Sequence, residues 1–436
     1  MSKNESLKVG PFPSHYYSVI EKSATLLLLA YPALMLAVRG GMNGVFLLLL
    51  LLALAVWIVR PNGMSALAWK REWTPYAAAM AGMSLAILFS QAYHGSYAGH
   101  PHDAPSRYWL ALPVFLLLQR LRPGVFTGLQ IAFPAAAILG FALAKDPGDW
   151  LGHRASIDTM DLIHFGDFEL ILGALSLASL NWFGRDPLAL RILKIAGFIA
   201  GLAASFGSGS RGGWLAIPVF VALMFHFKSA RPTLKMIISA VAGLAAAAVL
   251  LYSFSATVQD RVNQFAGDVA SFQEGKRDTS TGIRWQLYKA AVEVFLSHPV
   301  FGVGPEGFAQ EMKPLAEAGK ITPMAAELGH AEVHNDILSK AAGMGVFGLL
   351  AMLAVYAVPL RLFWRAGKST IREVRRAGVL GVVFVSGFFI FGLTVEVLDL
   401  TMAVAFYSFT VAILLAVCYN VHYTGPIHPN KGNHHV

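Results

Sequence analysis

A single cysteine, Cys418, leaves the chain without a disulfide framework, a cysteine-ligated metal site or a thiol pair for redox chemistry. It falls in the last apolar stretch and reads as a small packing or lipid-facing residue. Charge is also scarce. Asp, Glu, Lys and Arg make up 14% of the residues against 56% hydrophobic ones, and mean hydropathy is +0.56. That leaves too little polar surface to coat a soluble protein of 436 residues, so lipid is the solvent for most of the chain. Nucleotide and metal signatures are missing: there is no Walker A loop, no G-x-G-x-x-G after a strand, no H-E-x-x-H and no D-x-D pair to hold a divalent cation. No internal repeat or low-complexity tract is present, and no cofactor is implied.

What the chain does have is a series of apolar runs. A spanning helix needs ~20 largely apolar residues, and scanning for such runs gives about twelve. They cover 23–39, 43–59, 75–92, 108–119, 124–144, 163–183, 189–206, 212–227, 234–256, 336–360, 374–395 and 399–421. The expected class is therefore an all-α integral membrane protein. The first run follows Lys22 and leads into further spans, so it reads as a retained helix rather than a cleaved signal peptide.

Lys and Arg in short loops set the orientation. With a cytoplasmic N-terminus, the inside segments hold Lys3, Lys8 and Lys22; Arg60, Lys70 and Arg71; Arg120 and Arg122; Arg185, Arg191 and Lys194; Lys228, Arg231 and Lys235; the cluster from Arg361 to Arg376; and Lys431. The short outside loops hold only Arg39, Arg107, Lys145, Arg154 and Arg211. Both termini are expected in the cytoplasm, and the net charge of +9 is mostly this topological bias, with no nucleic-acid partner needed to explain it.

Three regions follow: nine spans over 1–256, a large outward loop over 257–335, and three spans with a cytoplasmic tail over 336–436. The loop carries Arg261, Lys276, Arg277, Arg284, Lys289, Lys313 and Lys320, but long loops translocate regardless of charge, and loops of this length usually carry function. Trp285, Leu287, Ala290, Ala291, Val294 and Phe295 recur near helical spacing, and a tight turn follows at Phe301–Phe308.

Arg211 lies in a Gly/Ser-rich connection, Ser205–Trp214, just before a helix start, where backbone N–H groups could cradle an anion. The alternative is an interfacial arginine that snorkels. Arg284 follows Thr279–Thr281, whose hydroxyls suit a helix N-cap, and its guanidinium can grip two phosphate oxygens at once. Alone it would read as a solvated loop residue. His334 stands where the loop re-enters the membrane, with Glu332 and Asp336 near enough in sequence to fix its tautomer. Glu306, in the turn, is a further carboxylate that could serve as base. His94, His100 and His102 with Asp103 have irregular spacing, which makes a metal site a weak reading. The tail histidines His428, His434 and His435 read as cytoplasmic tail.

Ser208-Gly-Ser-Arg211-Gly-Gly, then Thr281-Gly-Ile-Arg284-Trp, then His298-Pro-Val-Phe-Gly-Val-Gly-Pro-Glu-Gly-Phe308, and finally His334-Asn-Asp-Ile-Leu-Ser-Lys-Ala-Ala-Gly-Met-Gly345 together resemble the O-antigen ligase/polymerase superfamily of bacterial envelope glycosyltransferases. The resemblance implies a GT-C-type, metal-independent, inverting transferase on the periplasmic face of the inner membrane. In its ligases the donor is O-antigen on undecaprenyl pyrophosphate and the acceptor is lipid A–core. Carried onto this chain, Arg211 and Arg284 would bind the donor pyrophosphate, and His334 would activate the acceptor hydroxyl. Without a metal, positive side chains must neutralise the leaving group, and two outward arginines meet that need.

Ligase is favoured over O-antigen polymerase on the overall look of the motifs. The short C-terminal segment argues against a protein oligosaccharyltransferase, whose relatives tend to carry extra extracytoplasmic sequence there. A transporter would place its charges at mid-membrane in pseudo-symmetric broken helices, whereas here the candidates gather at one face, with Glu169, Lys340 and Glu396 the main charges inside or at the edges of spans.

Reporter fusions test the orientation. Fusions after Lys228 and within Arg361–Arg376 should report cytoplasm, and one near Lys276 should report periplasm; a cytoplasmic signal at Lys276 would put the loop on the wrong side for the envelope chemistry.

Overall fold

A computed structural model describes residues 14–59, 69–145, 154–228, 256–273, 277–330 and 332–424, with isolated positions at 242, 246, 249, 252 and 253. Among the described residues the regular elements are helices, and β-pairing is limited to isolated bridges at Lys145–Ser156 and Ile157–Met160. In chain order they are α1 (Ser14–Ala37), α2 (Gly41–Val59), α3 (Thr74–His94), α4 (Ser106–Leu118), α5 (Leu129–Leu143), α6 (Leu162–Ala178), α7 (Leu188–Ser208), α8 (Arg211–Trp214) and α9 (Ala216–Lys228). There follow α10 (Ala256–Gln273), α11 (Ser280–Ser297), α12 (Phe308–Glu317), α13 (Pro323–Gly329), α14 (Asp336–Ala366), α15 (Arg372–Phe391), α16 (Thr401–Cys418) and α17 (Val421–Thr424).

Among the described residues, seven segments are long and apolar enough to cross a bilayer: Ser18–Ala37, Gly41–Val59, Pro123–Leu143, Leu188–Ser208, Asp336–Ala366, Arg372–Phe391 and Thr401–Tyr423. The other expected spans fare differently. The run at 75–92 is the 21-residue α3. The run at 108–119 is α4, 13 residues long, or about 20 Å at 1.5 Å per residue, which falls short of a ~30 Å hydrocarbon layer. The run at 163–183 becomes the 17-residue α6, which buries Asp167 and Glu169. The run at 212–227 is interrupted at Leu215, between α8 and α9. The expected span at 234–256 lies almost wholly outside the described residues.

The core is built around helices that protein, rather than lipid, surrounds. In α16, 89% of the apolar window is buried, and in α15 72%, against 33% in α7. So α16 and α15 occupy the centre, while α7 keeps a lipid-facing side. Packing follows from this: α6 lies against α5 and α7, α14 against α3 and α15, and α16 against α4 and α15. Some of the polar atoms enclosed there are satisfied internally, as lipid demands, whereas both Glu169 carboxylate oxygens have no hydrogen-bond partner among the described residues. Of the satisfied groups, Lys194 reaches Asp186 at 3.0 Å and the Ser179 carbonyl at 2.7 Å.

The segment between α9 and α14 forms its own smaller core. Leu287, Ala290, Ala291 and Val294 of α11 pack with Met312 of α12, Ala325 of α13 and Val333. Trp285, grouped with them by spacing, is exposed instead, with the Lys289 ammonium 5.2 Å from its ring centre. The turn expected after α11 docks this segment onto the membrane helices. Val346 donates to the Pro299 carbonyl at 2.8 Å and Val303 to the Ala342 carbonyl at 3.1 Å. Phe301 stacks between Tyr93 and Phe347, with ring centres 4.5 and 5.6 Å away.

Docking requires a break in α14. Gly345 adopts φ 62°, ψ −148°, splitting the helix, and a Cβ there would lie 2.3 Å from the Val300 carbonyl oxygen. Gly345→Ala should therefore combine backbone strain with a clash, costing about 2 kcal/mol or more. Thermal unfolding of detergent-solubilised protein should show a clearly lower midpoint than Gly44→Ala, where an added Cβ meets nothing within 4 Å. Equal midpoints would mean that the turn and the kink are not coupled.

Candidate active site

The stretch after α7 is shaped by backbone before side chains enter. Gly209 ends α7 in the left-handed region at φ 65°, and α8 begins two residues later. The helix that Arg211 opens is only four residues long, so an anion here would depend on guanidinium groups rather than on a helix terminus. Gly212 and Gly213 press this turn inward: a Cβ on either would lie 2.2 Å from Thr394 Oγ1 or Asp167 Oδ1, respectively. Ser210 Oγ donates to the same Asp167 oxygen at 3.1 Å.

The result is one wall of a half-open cavity of about 200 Å³. Arg154, Arg211, Arg261 and Arg284 all line it, together with Ile163, Ser280 and Thr394. Arg284 arrives on the first turns of α11, whose N-cap is Thr279, accepting from the Gly282 N–H at 3.1 Å. Arg154 arrives because its segment runs beside the end of α7: the Ala155 N–H meets the Gly207 carbonyl at 2.9 Å and Arg154 Nε meets the Ser208 carbonyl at 2.6 Å. Arg261 comes from α10, and its carbonyl accepts from Arg211 Nη1 at 3.1 Å. Sequence reasoning picked out Arg211 and Arg284 but read Arg154 and Arg261 only as loop charge.

Like charges crowd here, and among the described residues Asp268 is the carboxylate in ion-pair range of one of them. Asp268 Oδ2 is 3.9 Å from Arg211 Nη2 and accepts from Thr281 Oγ1 at 3.2 Å, tying α8, α10 and α11 together. Burial, with Arg261 and Arg211 adding repulsion, pulls the Arg154 guanidinium down to about 10. It still carries its proton at neutral pH, so the cavity remains strongly cationic. Next to it, Asp161 caps α6 and bonds His164 Nδ1 at 2.5 Å, fixing the N-terminal end of that helix. A lowered guanidinium pKa among several convergent arginines is the kind of perturbation that collects at functional sites.

His334 lies at a separate but connected corner. It adopts φ 63°, unusual for a residue with a Cβ. Its Nδ1 lies against Glu332 Oε1, both side chains being mostly buried, a contact that becomes an ion pair when the imidazole is protonated. With Nδ1 turned to Glu332, Nε2 is the nitrogen left to accept a proton when the imidazole is neutral. The Tyr288 hydroxyl lies 3.1 Å from the His334 carbonyl and 2.9 Å from that of Leu393, next to Thr394 of the cavity wall.

The other carboxylates expected near His334 are placed elsewhere. Asp336 is buried, accepting from the Tyr356 hydroxyl at 2.7 Å and the Leu398 N–H at 3.1 Å, so its oxygens tie α14 to its neighbours. Glu306 pairs with His100 at 3.0 Å, in the connection between α3 and α4. The three histidines of that connection take different partners: His94 the Gly302 carbonyl, His100 Glu306 and His102 Gln91.

These features define a helical membrane protein with a cationic cavity beside an oriented histidine. A family model described as O-antigen ligase matches residues 196–353, about a third of the chain, a stretch that holds Arg211, Arg284 and His334. That match, and a weaker relative bearing the same name, support a likeness to the O-antigen ligase superfamily. The relative is the O-antigen ligase of Escherichia coli K12, 25% identical over 153 residues, or 35% of each chain. An uncharacterised protein of Haemophilus influenzae Rd is 25% identical over 289 residues, 65% of this chain and 71% of that one.

The cavity's charge is testable without turnover. Inorganic pyrophosphate should bind the purified protein, and Arg211→Lys and Arg284→Lys should each weaken it about tenfold, because an ammonium cannot reproduce the two-pronged guanidinium grip. Unchanged affinity in both variants would reduce these arginines to surface charge.

Proposed function

We propose that this protein is an inverting, metal-independent glycosyltransferase of the bacterial inner membrane that moves O-antigen polysaccharide from undecaprenyl pyrophosphate to lipid A–core. The observation that carries the reading is the convergence of four arginines on one cavity whose wall is hydrogen-bonded, through Tyr288, to the turn that presents His334. On this reading about twelve apolar runs cross the membrane, the short α4 and the broken α8–α9 stretch among them, with both termini cytoplasmic. The segment 257–335 and the site face the periplasm. A GT-C-type architecture agrees with the helical fold and suits two lipid-anchored substrates that reach the site sideways.

The chemistry is a single displacement. His334 Nε2 takes the proton of the acceptor sugar hydroxyl while its oxygen attacks the anomeric carbon from the face opposite the pyrophosphate. The bond from that carbon to the phosphate oxygen breaks, and its electron pair leaves with the pyrophosphate. Arg211 and Arg284 hold the pyrophosphate, with Arg154 and Arg261 adding to the field that stabilises the growing negative charge. Glu332 keeps the imidazole oriented and stabilises its protonated form. One inversion results, with no sugar–enzyme intermediate.

The test is transfer by purified protein in the presence of EDTA, with a lipid-pyrophosphate glycan as donor and either lipid A–core or a second lipid-linked repeat as acceptor. Extension of lipid A–core is expected, and His334→Gln should lower the rate by ~10²- to 10⁴-fold. Extension of the lipid-linked repeat alone would make the protein a polymerase. No extension of either acceptor, or full turnover by correctly folded His334→Gln, would overturn the mechanism.

A further inference from the structure

We propose that Tyr288 is a positioning residue that sets the catalytic histidine against the arginine cavity, through a hydrogen bond to the His334 carbonyl from the helix that carries Arg284. The inference rests on His334 acting as the base. It begins with backbone strain. His334 sits in the left-handed region at φ 63°, a conformation that costs a residue with a Cβ on the order of 1 kcal/mol or more and persists only where its surroundings over-determine it.

Most of those surroundings belong to the membrane helices. The Val333 N–H donates to Glu396 Oε1. Asn335 caps α14, its Oδ1 accepting from the Ile337 and Leu338 N–H groups at 3.0 Å each, and its Nδ2 donates to the Leu393 carbonyl at 3.2 Å. The Asp336 N–H donates to the Gly392 carbonyl at 2.7 Å. These bonds fix the residues on either side of His334 but leave its own carbonyl to Tyr288.

Tyr288 belongs to a different body of structure. It lies one helical turn after Arg284 on α11, on the same face, and its ring packs against the core of the segment between α9 and α14. Its hydroxyl is 3.1 Å from the His334 carbonyl and 2.9 Å from the Leu393 carbonyl. A phenol has one hydrogen, so the two carbonyls share it. Burial raises the phenol above its ordinary value, so the donor keeps its proton throughout the working pH range. The hydroxyl is thus a strut between the arginine that grips the leaving group and the imidazole that takes the acceptor's proton. Misplacing a reacting group by about 1 Å can cost on the order of 10²-fold in rate.

Tyr288→Phe keeps the ring and removes the strut. In the full-length purified protein, it should lower kcat for glycan transfer by about tenfold to hundredfold, while the donor KM and the affinity for inorganic pyrophosphate stay within about twofold. Unchanged pyrophosphate binding on the same samples checks that the arginine cavity remains folded. The discriminating measurement is a double-mutant cycle. In a His334→Gln background, Tyr288→Phe should cost nothing further, because there is no base left to position. A wild-type kcat in Tyr288→Phe, or the same loss in both backgrounds, overturns the inference and leaves the base assignment standing. Wild-type turnover in His334→Gln alone overturns the base assignment and this inference with it.

Discussion

Four guanidinium groups around one cavity repel each other, and much of the surrounding structure is arranged to hold them there. Beyond the effect of burial, Arg261 and Arg211 lower Arg154, and Arg261 and Arg284 lower Arg211, which is the sign of that repulsion. Arg211 is anchored to the Arg261 carbonyl and Arg154 to the Ser208 carbonyl, so two of the cations are fixed through backbone oxygens that carry no formal charge. Asp268 is the carboxylate in ion-pair range of Arg211, and it also holds α11 through Thr281. Tight backbone approach does the rest: Gly212 and Gly213 allow the turn to close on Thr394 and Asp167. A cavity assembled against its own repulsion is pre-organised for an anion, whose arrival relieves that cost.

The same dependence explains the charges beside the spans. Lys340 donates to Asp399 at 2.6 Å and lies 3.9 Å from Glu396, whose other oxygen receives the Val333 N–H. These groups brace the start of α14 and the turn before it, and their partners are local. A translocation path would instead need charges exposed along a route through the bundle. The arrangement therefore supports a fixed site at the edge of the helices more than a moving one through them.

The segment between α9 and α14 needs an equally firm seat, because α11 carries Arg284 while α14 follows His334. Its seat is the 299–304 turn, lodged at the Gly345 kink by the bonds of Val303 and Val346 and by the stacking of Phe301. Ser90 of α3 adds a hydrogen bond to the Phe301 carbonyl at 2.8 Å. Aromatic stacking and backbone hydrogen bonds both depend on close geometry, so this contact fixes position as well as adding stability.

Local signals were legible in the sequence. Apolar runs announced membrane helices, Thr279 announced the start of α11, the Gly/Pro run at 301–308 announced a turn, and Arg211, Arg284 and His334 stood out because each occupies an unusual setting in its own stretch of chain. What depended on distant partners was not legible. Arg154 and Arg261 look like ordinary loop charges until α7 and α10 bring them to the cavity. Asp336 looks like a partner for His334, yet the first turn of α14 directs it to Tyr356 and Leu398. Glu306 goes to His100, on a connection far away in sequence. Nothing adjacent to Tyr288 predicts its bond to His334, or the left-handed backbone there. Hydropathy and helix signals are set by neighbours within a turn or two, so the sequence alone marked the apolar helical segments, while packing decided that α15 and α16 are enclosed by protein. Which side chains meet across them was decided only by packing between segments tens to hundreds of residues apart.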